Sequence, residues 1–138
     1  MRVILDTNVL VAGLRSRTGA SHRILELMDV GKVTPVVSVP LMFEYEEVLL
    51  RAGMLPHLTA AEVQAFLDYL ASHAEAQPVY FLWRPLLADA DDDMIAEVAL
   101  ASQVDYIITN NVRDFAAAQP LGVHAMMPGE FLKLHFTP

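Results

Sequence analysis

The chain begins with MRVILDTNVLVAGL (residues 1–14), in which a short apolar run meets one acid and two small polar residues. Val3, Ile4 and Leu5 have the composition of a β-strand that is buried on both faces, as in a parallel sheet. Asp6 then either caps a helix or carries a carboxylate to a site at the end of the strand. The stretch predicts a central strand and leaves these two roles for Asp6 open.

The rest of the chain alternates between strand and helix patterns. Further strands are predicted at 35–39, 104–109 and 122–126, and helices at 21–32, 41–53, 59–70, 92–103 and from 128 onward. Ser21 is the predicted N-cap of the first of these helices, and TAAE at 59–62 has the pattern of a capping box. The stretch 79–83 fits a strand or an apolar loop equally well. Such alternation predicts a mostly parallel sheet with both faces covered.

Composition narrows the classes of protein that the chain can belong to. Its 138 residues suit one domain, and 54% apolar residues argue against disorder. The absence of Cys excludes disulfides and zinc–thiolate sites. A net charge of −8 argues against a basic nucleic-acid binder but not against a nuclease. With no apolar stretch of membrane-spanning length and no secretory leader pattern, a cytoplasmic protein is expected.

Several polar residues follow the predicted strands. Asp6 ends the first strand, and Asn110 and Asn111 come directly after Thr109 at the end of another, with Asp114 in the same turn. Ligands of open parallel sheets bind at the carboxyl ends of the strands. We therefore expect these groups at one edge of the sheet.

The acids in the predicted helices are assigned by spacing. Asp92 shares a face with the apolar residues of its helix and is predicted to point inward, whereas Asp93 aligns with Glu97 and is predicted to point outward. Glu44 has a mixed position that fits either the site or its rim. Taken alone, each of these acids also fits a helix cap or a solvated surface position.

The chemistry becomes specific if Asp6, Glu44 and Asp92 converge. Three carboxylates in one cleft resist ionising together unless a cation lies between them. Oxygen ligands without Cys or a His cluster select Mg²⁺ or Mn²⁺. Such a metal activates water and stabilises a leaving oxygen, which is the chemistry of phosphodiester hydrolysis. Phosphate contacts would then come from a few local cations, with candidates Arg15, Arg17, Arg23 and Arg51.

The motifs DTNVL, SVPLMFEYEEVLLR, DADDDMIAEVALASQVDYIIT and NNVRDF, in this order, resemble those of PIN-domain ribonucleases. The nearer resemblance is to the branch that supplies the toxins of bacterial toxin–antitoxin pairs, and it runs from Met1 to about Leu132. It implies one PIN-like domain over residues 1–138. It also implies a three-layer α/β/α sandwich with a mainly parallel five-stranded sheet.

The resemblance also implies a set of site residues. By position, Asp6, Glu44 and Asp92 match the three metal-binding acids of the family, with Asp93 as an alternative third acid. Thr109 matches the hydroxyl residue that precedes a fourth acid. Many members have that acid where this chain has Asn111, an uncharged ligand that makes a second metal ion less favourable, and Asp114 is placed to compensate.

The function that this resemblance implies is a Mg²⁺- or Mn²⁺-dependent endoribonuclease. The candidate RNA contacts are Asn8, Arg15, His22 and Arg23. An antitoxin protein and a second copy of the chain are the partners expected from the family.

Two alternatives remain open at this stage. One is a PIN-like domain that is catalytically silent and serves as a binding partner, which the replacement of an acid by Asn111 favours. The other is a phosphatase of the haloacid dehalogenase type with Asp6 as nucleophile. The phosphatase is disfavoured because Asn8 stands where its second acid is needed, and because Lys32 and Lys133 are the only lysines in the chain.

Overall fold

The computed structural model describes residues 1–79, 87 and 89–136 of the chain, and a parallel sheet lies at the centre of these residues. Its strands are β1 (Arg2–Leu5), β2 (Thr34–Val37), β3 (Glu75–Ala76), β4 (Tyr106–Ile108) and β5 (Ala125–Met126). The helices are α1 (Thr7–Arg15), α2 (Ala20–Asp29), α3 (Val39–Leu49), α4 (Ala60–His73), α5 (Ala90–Ser102) and α6 (Pro128–His135), and a 3₁₀ segment spans Val112–Leu121.

The strand order is β3-β2-β1-β4-β5, so that β1 is the central strand. Every neighbouring pair is parallel. Val3, Ile4 and Leu5 are at most 1% exposed, and because successive residues of a strand point to opposite faces, both faces of β1 are covered. The predicted parallel α/β architecture is confirmed. Its consequence for the site is that the carboxyl ends of all five strands lie along one edge.

Helix α1 follows β1 directly and is not predicted by the sequence pattern. Asp6, Thr7 and Asn8 separate its apolar residues from those of the strand, but the apolar residues that follow do not have a clear helical period. Gly13 in this helix lies against α2, where an added Cβ would come within 2.8 Å of Leu25 Cδ1. The close approach of the two helices therefore depends on a residue without a side chain.

Helix boundaries differ from the predicted ones by a few residues. Helix α2 begins after Gly19, and Ser21 is buried inside its first turn, so the prediction of Ser21 as N-cap is wrong. The N-cap of α3 is Ser38, whose hydroxyl accepts a hydrogen bond from Leu41 N at 3.2 Å. Of the stretch 79–83, Val79 lies in no helix or strand, and residues 80–83 lie outside the described residues.

The predicted capping box of α4 is confirmed. Thr59 Oγ1 accepts a hydrogen bond from Glu62 N at 3.1 Å, and Glu62 Oε1 accepts one from Thr59 N at 3.0 Å. Thr59→Ala leaves one backbone donor without its partner, so we expect the free energy of unfolding to fall by about 1 kcal/mol. Urea denaturation measures this change. Thr59→Ser retains the hydroxyl and should stay close to the wild type; equal losses in both variants would contradict the capping explanation.

None of the helices in the described ranges is long and apolar enough to cross a membrane.

Candidate metal and catalytic site

Asp6 lies at the carboxyl end of β1, at the centre of the sheet edge, and is 7% exposed. It occupies the N-cap position of α1, yet its carboxylate makes no capping hydrogen bond. Instead, Asp6 Oδ2 accepts hydrogen bonds from Thr109 Oγ1 at 2.7 Å and from Asn8 Nδ2 at 3.3 Å. The carboxylate is therefore held by side chains from two elements rather than used to start the helix.

The residues that hold Asp6 are themselves held by the turn after β4. Thr109 Oγ1 accepts a hydrogen bond from Asn111 N at 3.0 Å, and Asn8 Oδ1 accepts one from Asn110 N at 3.2 Å. Thr109 is completely buried. This network links the start of α1 to the end of β4, so it limits the orientations open to the Asp6 carboxylate.

Asp92 lies in the first turn of α5 and is half-buried. Burial is the largest cause that raises the pKa of Asp92, to about 7, followed by repulsion from Asp6, Asp89, Asp114 and Asp91. Burial likewise raises the pKa of Asp6, partly offset by its hydrogen bonds and increased by the charge of Asp114. Asp6, Asp92 and Asp114 thus form one group of mutually repelling acids, which we call the acid triad.

Glu44 lies on α3, which packs against α5. Burial raises its pKa, and the strongest charge effects on it come from Asp91, Glu47, Arg51 and Asp89. Its nearest acids therefore include the outer aspartates of α5. The position of Glu44 at the rim of the acid triad stays a prediction.

The third acid of the family pattern has two candidates in this chain, Asp92 and Asp93, and their surroundings differ. Asp93 is 4% exposed, and its Oδ1 accepts a hydrogen bond from Leu87 N at 2.7 Å. Glu97, one turn later, is also 4% exposed, so the prediction that these two acids face outward is wrong. The carboxylate of Asp93 accepts a hydrogen bond from a backbone amide that precedes the helix. In contrast, the charge of Asp6 contributes to the raised pKa of Asp92.

Asn111 and Asp114 lie in the turn that follows β4. The Asn111 carbonyl accepts a hydrogen bond from Asp114 N at 3.0 Å, and the Asn111 side chain is exposed. The acid of this turn that raises the pKa values of Asp6 and Asp92 is Asp114. That Asp114 compensates for the missing fourth acid stays a prediction.

The candidate RNA contacts other than Asn8 lie on α1 and α2. Arg15 Nε donates to Met54 O at 3.0 Å, His22 Nδ1 lies 3.0 Å from Gly13 O, and Arg23 forms a 4.0 Å ion pair with Glu26. These partners belong to the helices themselves and to the loop after α3. A role for the three residues in RNA binding stays a prediction.

The acids at this edge of the sheet offer oxygen atoms, the ligand type that a hard divalent cation prefers. Within the described ranges, no three Asp, Glu, His or Cys side chains are grouped as they would be around a metal ion. Burial is the main cause of the raised pKa values of Asp6 and Asp92, and charge adds to it, from Asp114 at both acids and from Asp6 at Asp92. A cation between them would remove this repulsion, and carboxylate oxygens are ligands that Mg²⁺ and Mn²⁺ accept.

The fold and the site together define an α/β protein with an acidic centre at the carboxyl edge of a parallel sheet. The model of the PIN domain family matches residues 2–113 of the chain. The chain belongs to this family, whose members are generally nucleases that use divalent metals. No curated protein matches the sequence. Because the chain belongs to the PIN family, a phosphatase of the haloacid dehalogenase type is no longer an alternative.

The solved structures that are similar in fold include two complexes from bacteria. VapBC2 from Rickettsia felis, bound to a DNA fragment from its promoter, matches with a TM-score of 0.63 and 18% identity, over 92% of this chain and 98% of that one. VapBC-1 from nontypeable Haemophilus influenzae matches with a TM-score of 0.65 and 17% identity, over 94% of this chain and 99% of that one. At these identities, the likeness shows that the PIN-like fold extends over nearly the whole chain.

Proposed function

We propose that the protein is an endoribonuclease that depends on Mg²⁺ or Mn²⁺ and acts as the toxin of a toxin–antitoxin pair. The observation that carries this proposal is the buried Asp6 at the carboxyl end of the central strand, where Thr109 and Asn8 hold its carboxylate. The charges of Asp6 and Asp114 also contribute to the raised pKa of Asp92 nearby. Membership of a family of nucleases supports phosphodiester hydrolysis as the reaction.

In this proposal, Asp6 and Asp92 hold the metal together with Glu44 from the rim. Asp114 completes the shell from the turn after β4, where Asn111 offers a neutral oxygen. A divalent cation bound there would neutralise phosphate charge and lower the pKa of a water molecule.

The protein's own part in the reaction is orientation. Thr109 and Asn8 donate hydrogen bonds to one oxygen of Asp6 and so fix the plane of its carboxylate. Because they bind the ionised form of Asp6, they also favour the charge that a metal needs. Removal of either donor should therefore weaken metal binding before it affects the fold.

The toxin role rests on the resemblance of the motifs to the toxin branch and on the VapBC complexes with the same fold. A protein antitoxin is the partner that follows from it. The net charge of −8 favours an antitoxin segment with basic side chains, because an acidic surface attracts them at long range.

Metal removal tests the catalytic proposal. We expect the protein to cleave RNA in Mn²⁺ or Mg²⁺, and the rate to fall on the order of 100-fold or more in EDTA and to recover when metal is restored. The products should not carry a 2′,3′-cyclic phosphate, because attack by water does not use the 2′-hydroxyl of the RNA. Cleavage that continues in EDTA and leaves 2′,3′-cyclic phosphates would overturn the metal mechanism.

Calorimetric titration with Mn²⁺ distinguishes the remaining alternative. A silent PIN-like binding domain would neither bind Mn²⁺ nor cleave, while still forming a complex with the antitoxin. An active nuclease should give a saturable heat signal on Mn²⁺ binding, and this signal should disappear in a variant that lacks Asp6.

A further inference from the structure

Tyr45 lies at the centre of α3 and is 1% exposed. It belongs to the buried stripe of that helix, with Leu41 one turn before it and Leu49 one turn after it. Its hydroxyl donates a hydrogen bond to the carbonyl of Leu5 at 2.5 Å. A buried tyrosine hydroxyl needs a partner, and here the partner is the last residue of the central strand.

The accepting carbonyl belongs to the peptide group that joins Leu5 to Asp6. The N–H of the same peptide group donates to Ile108 O in β4 at 2.9 Å. This peptide is therefore held on both sides, by α3 through the tyrosine and by the sheet through β4. Asp6 is attached directly to it, so the position of its Cα depends on both hydrogen bonds.

The tyrosine also lies close to the acid that it would position. Burial raises the pKa of Tyr45, and the charge of Asp6 raises it further. Glu44 is the residue before Tyr45 in the chain, and the backbone of α3 connects the two rigidly. One hydroxyl thus links the helix that carries Glu44 to the strand end that carries Asp6.

We propose that Tyr45 is a positioning residue that sets the separation of Asp6 and Glu44 by anchoring α3 to the Leu5–Asp6 peptide. This inference rests on the proposed function of these acids as metal ligands. A tyrosine suits the role because its ring is rigid and its hydroxyl stands at a fixed distance from the helix backbone. Tyr45 does not contact the substrate or the metal in this proposal.

The test compares Tyr45→Phe with Tyr69→Phe. Tyr69, on α4, donates its hydroxyl to Asp29 on α2, away from the acid triad, so both variants lose one hydroxyl and keep the ring. We expect Tyr45→Phe to bind Mn²⁺ roughly 10-fold more weakly than the wild type and to lose a similar factor in kcat with little change in KM for RNA. Tyr69→Phe should match the wild type in all three quantities.

Amide hydrogen exchange on the metal-free protein supplies a second readout. Tyr45→Phe should increase exchange at Asp6 N, whose bond to Ile108 O shares the anchored peptide, while Tyr69→Phe should leave it unchanged. If Tyr45→Phe retains the wild-type Mn²⁺ affinity, kcat and exchange at Asp6, the positioning role is wrong. If the wild type binds no Mn²⁺ but the exchange at Asp6 still responds to Tyr45→Phe, the anchor stands and the proposed function fails.

Discussion

Replacing Asp6 by Asn is expected to reduce RNA cleavage on the order of 1,000-fold or more while the protein remains folded. The substitution keeps the shape of the side chain and one oxygen that can accept from Thr109. It removes the negative charge that lies at the centre of the acid triad. Because burial already raises the pKa of Asp6, the neutral amide should be tolerated in the fold.

The measurement is the single-turnover cleavage rate at saturating Mn²⁺, with circular dichroism to confirm folding. Asp105→Asn is the matched control, since it makes the same chemical change at the residue before β4, at the opposite end of the strand. Asp105 accepts a hydrogen bond from Arg2 N at 2.9 Å and should affect stability rather than cleavage. A folded Asp6→Asn protein that cleaves as fast as Asp105→Asn would remove Asp6 from the mechanism.

The sheet could be predicted from the sequence because its longer strands, β1, β2 and β4, consist mostly of apolar residues. No polar residue interrupts the run from Val3 to Leu5 to suggest an exposed face, and the structure buries all three residues. Strand β3 has no such signal. It contains only Glu75 and Ala76, both exposed, and is defined by its pairing with β2. A strand that exists through a partner distant in the chain cannot be found from local pattern.

The placement of the site residues at the strand ends could be predicted from the topology of parallel sheets. The placement of the site residues in the helices depends instead on the direction in which each side chain points. Thr109 and Asp114 lie at the same edge as Asp6, as expected. Asp93 differs because a carboxylate at the start of a helix can turn toward a preceding amide, and spacing does not reveal this choice. Nothing in the sequence distinguishes Tyr45 from an ordinary core residue, because it stands in the apolar stripe of its helix.

The substitution Asp92→Asn is expected to change stability and activity in opposite directions. The pKa of Asp92 is raised to about 7, so between about pH 4 and pH 7 the folded protein holds a proton that the unfolded chain has lost. Stability contributed by this group therefore falls as the pH rises through that window. At pH 8 in EDTA, the ionised carboxylate repels its neighbours, and the neutral amide does not.

We expect Asp92→Asn to raise the free energy of unfolding in EDTA at pH 8 by about 1 kcal/mol, because solvent screens a half-buried group and reduces the effect of its pKa shift. This corresponds to an increase in Tm of roughly 3–5 °C for a domain of this size. The loss of a favourable interaction with the start of α5 subtracts only a few tenths of a kcal/mol, so repulsion should decide the sign.

Added Mn²⁺ should reverse the order of stability, so that the wild type becomes more stable than Asp92→Asn. The wild type gains stability from binding, whereas Asp92→Asn has lost a ligand and should gain little, and its cleavage rate should fall steeply. Thermal melts at pH 5 and pH 8, with EDTA and with Mn²⁺, measure both effects, and Asp68→Asn on the exposed face of α4 controls for the loss of one charge. A variant that is less stable than the wild type in EDTA at pH 8 would show that Asp92 supports the fold rather than the metal, since a ligand held among like charges must cost stability when the cation is absent.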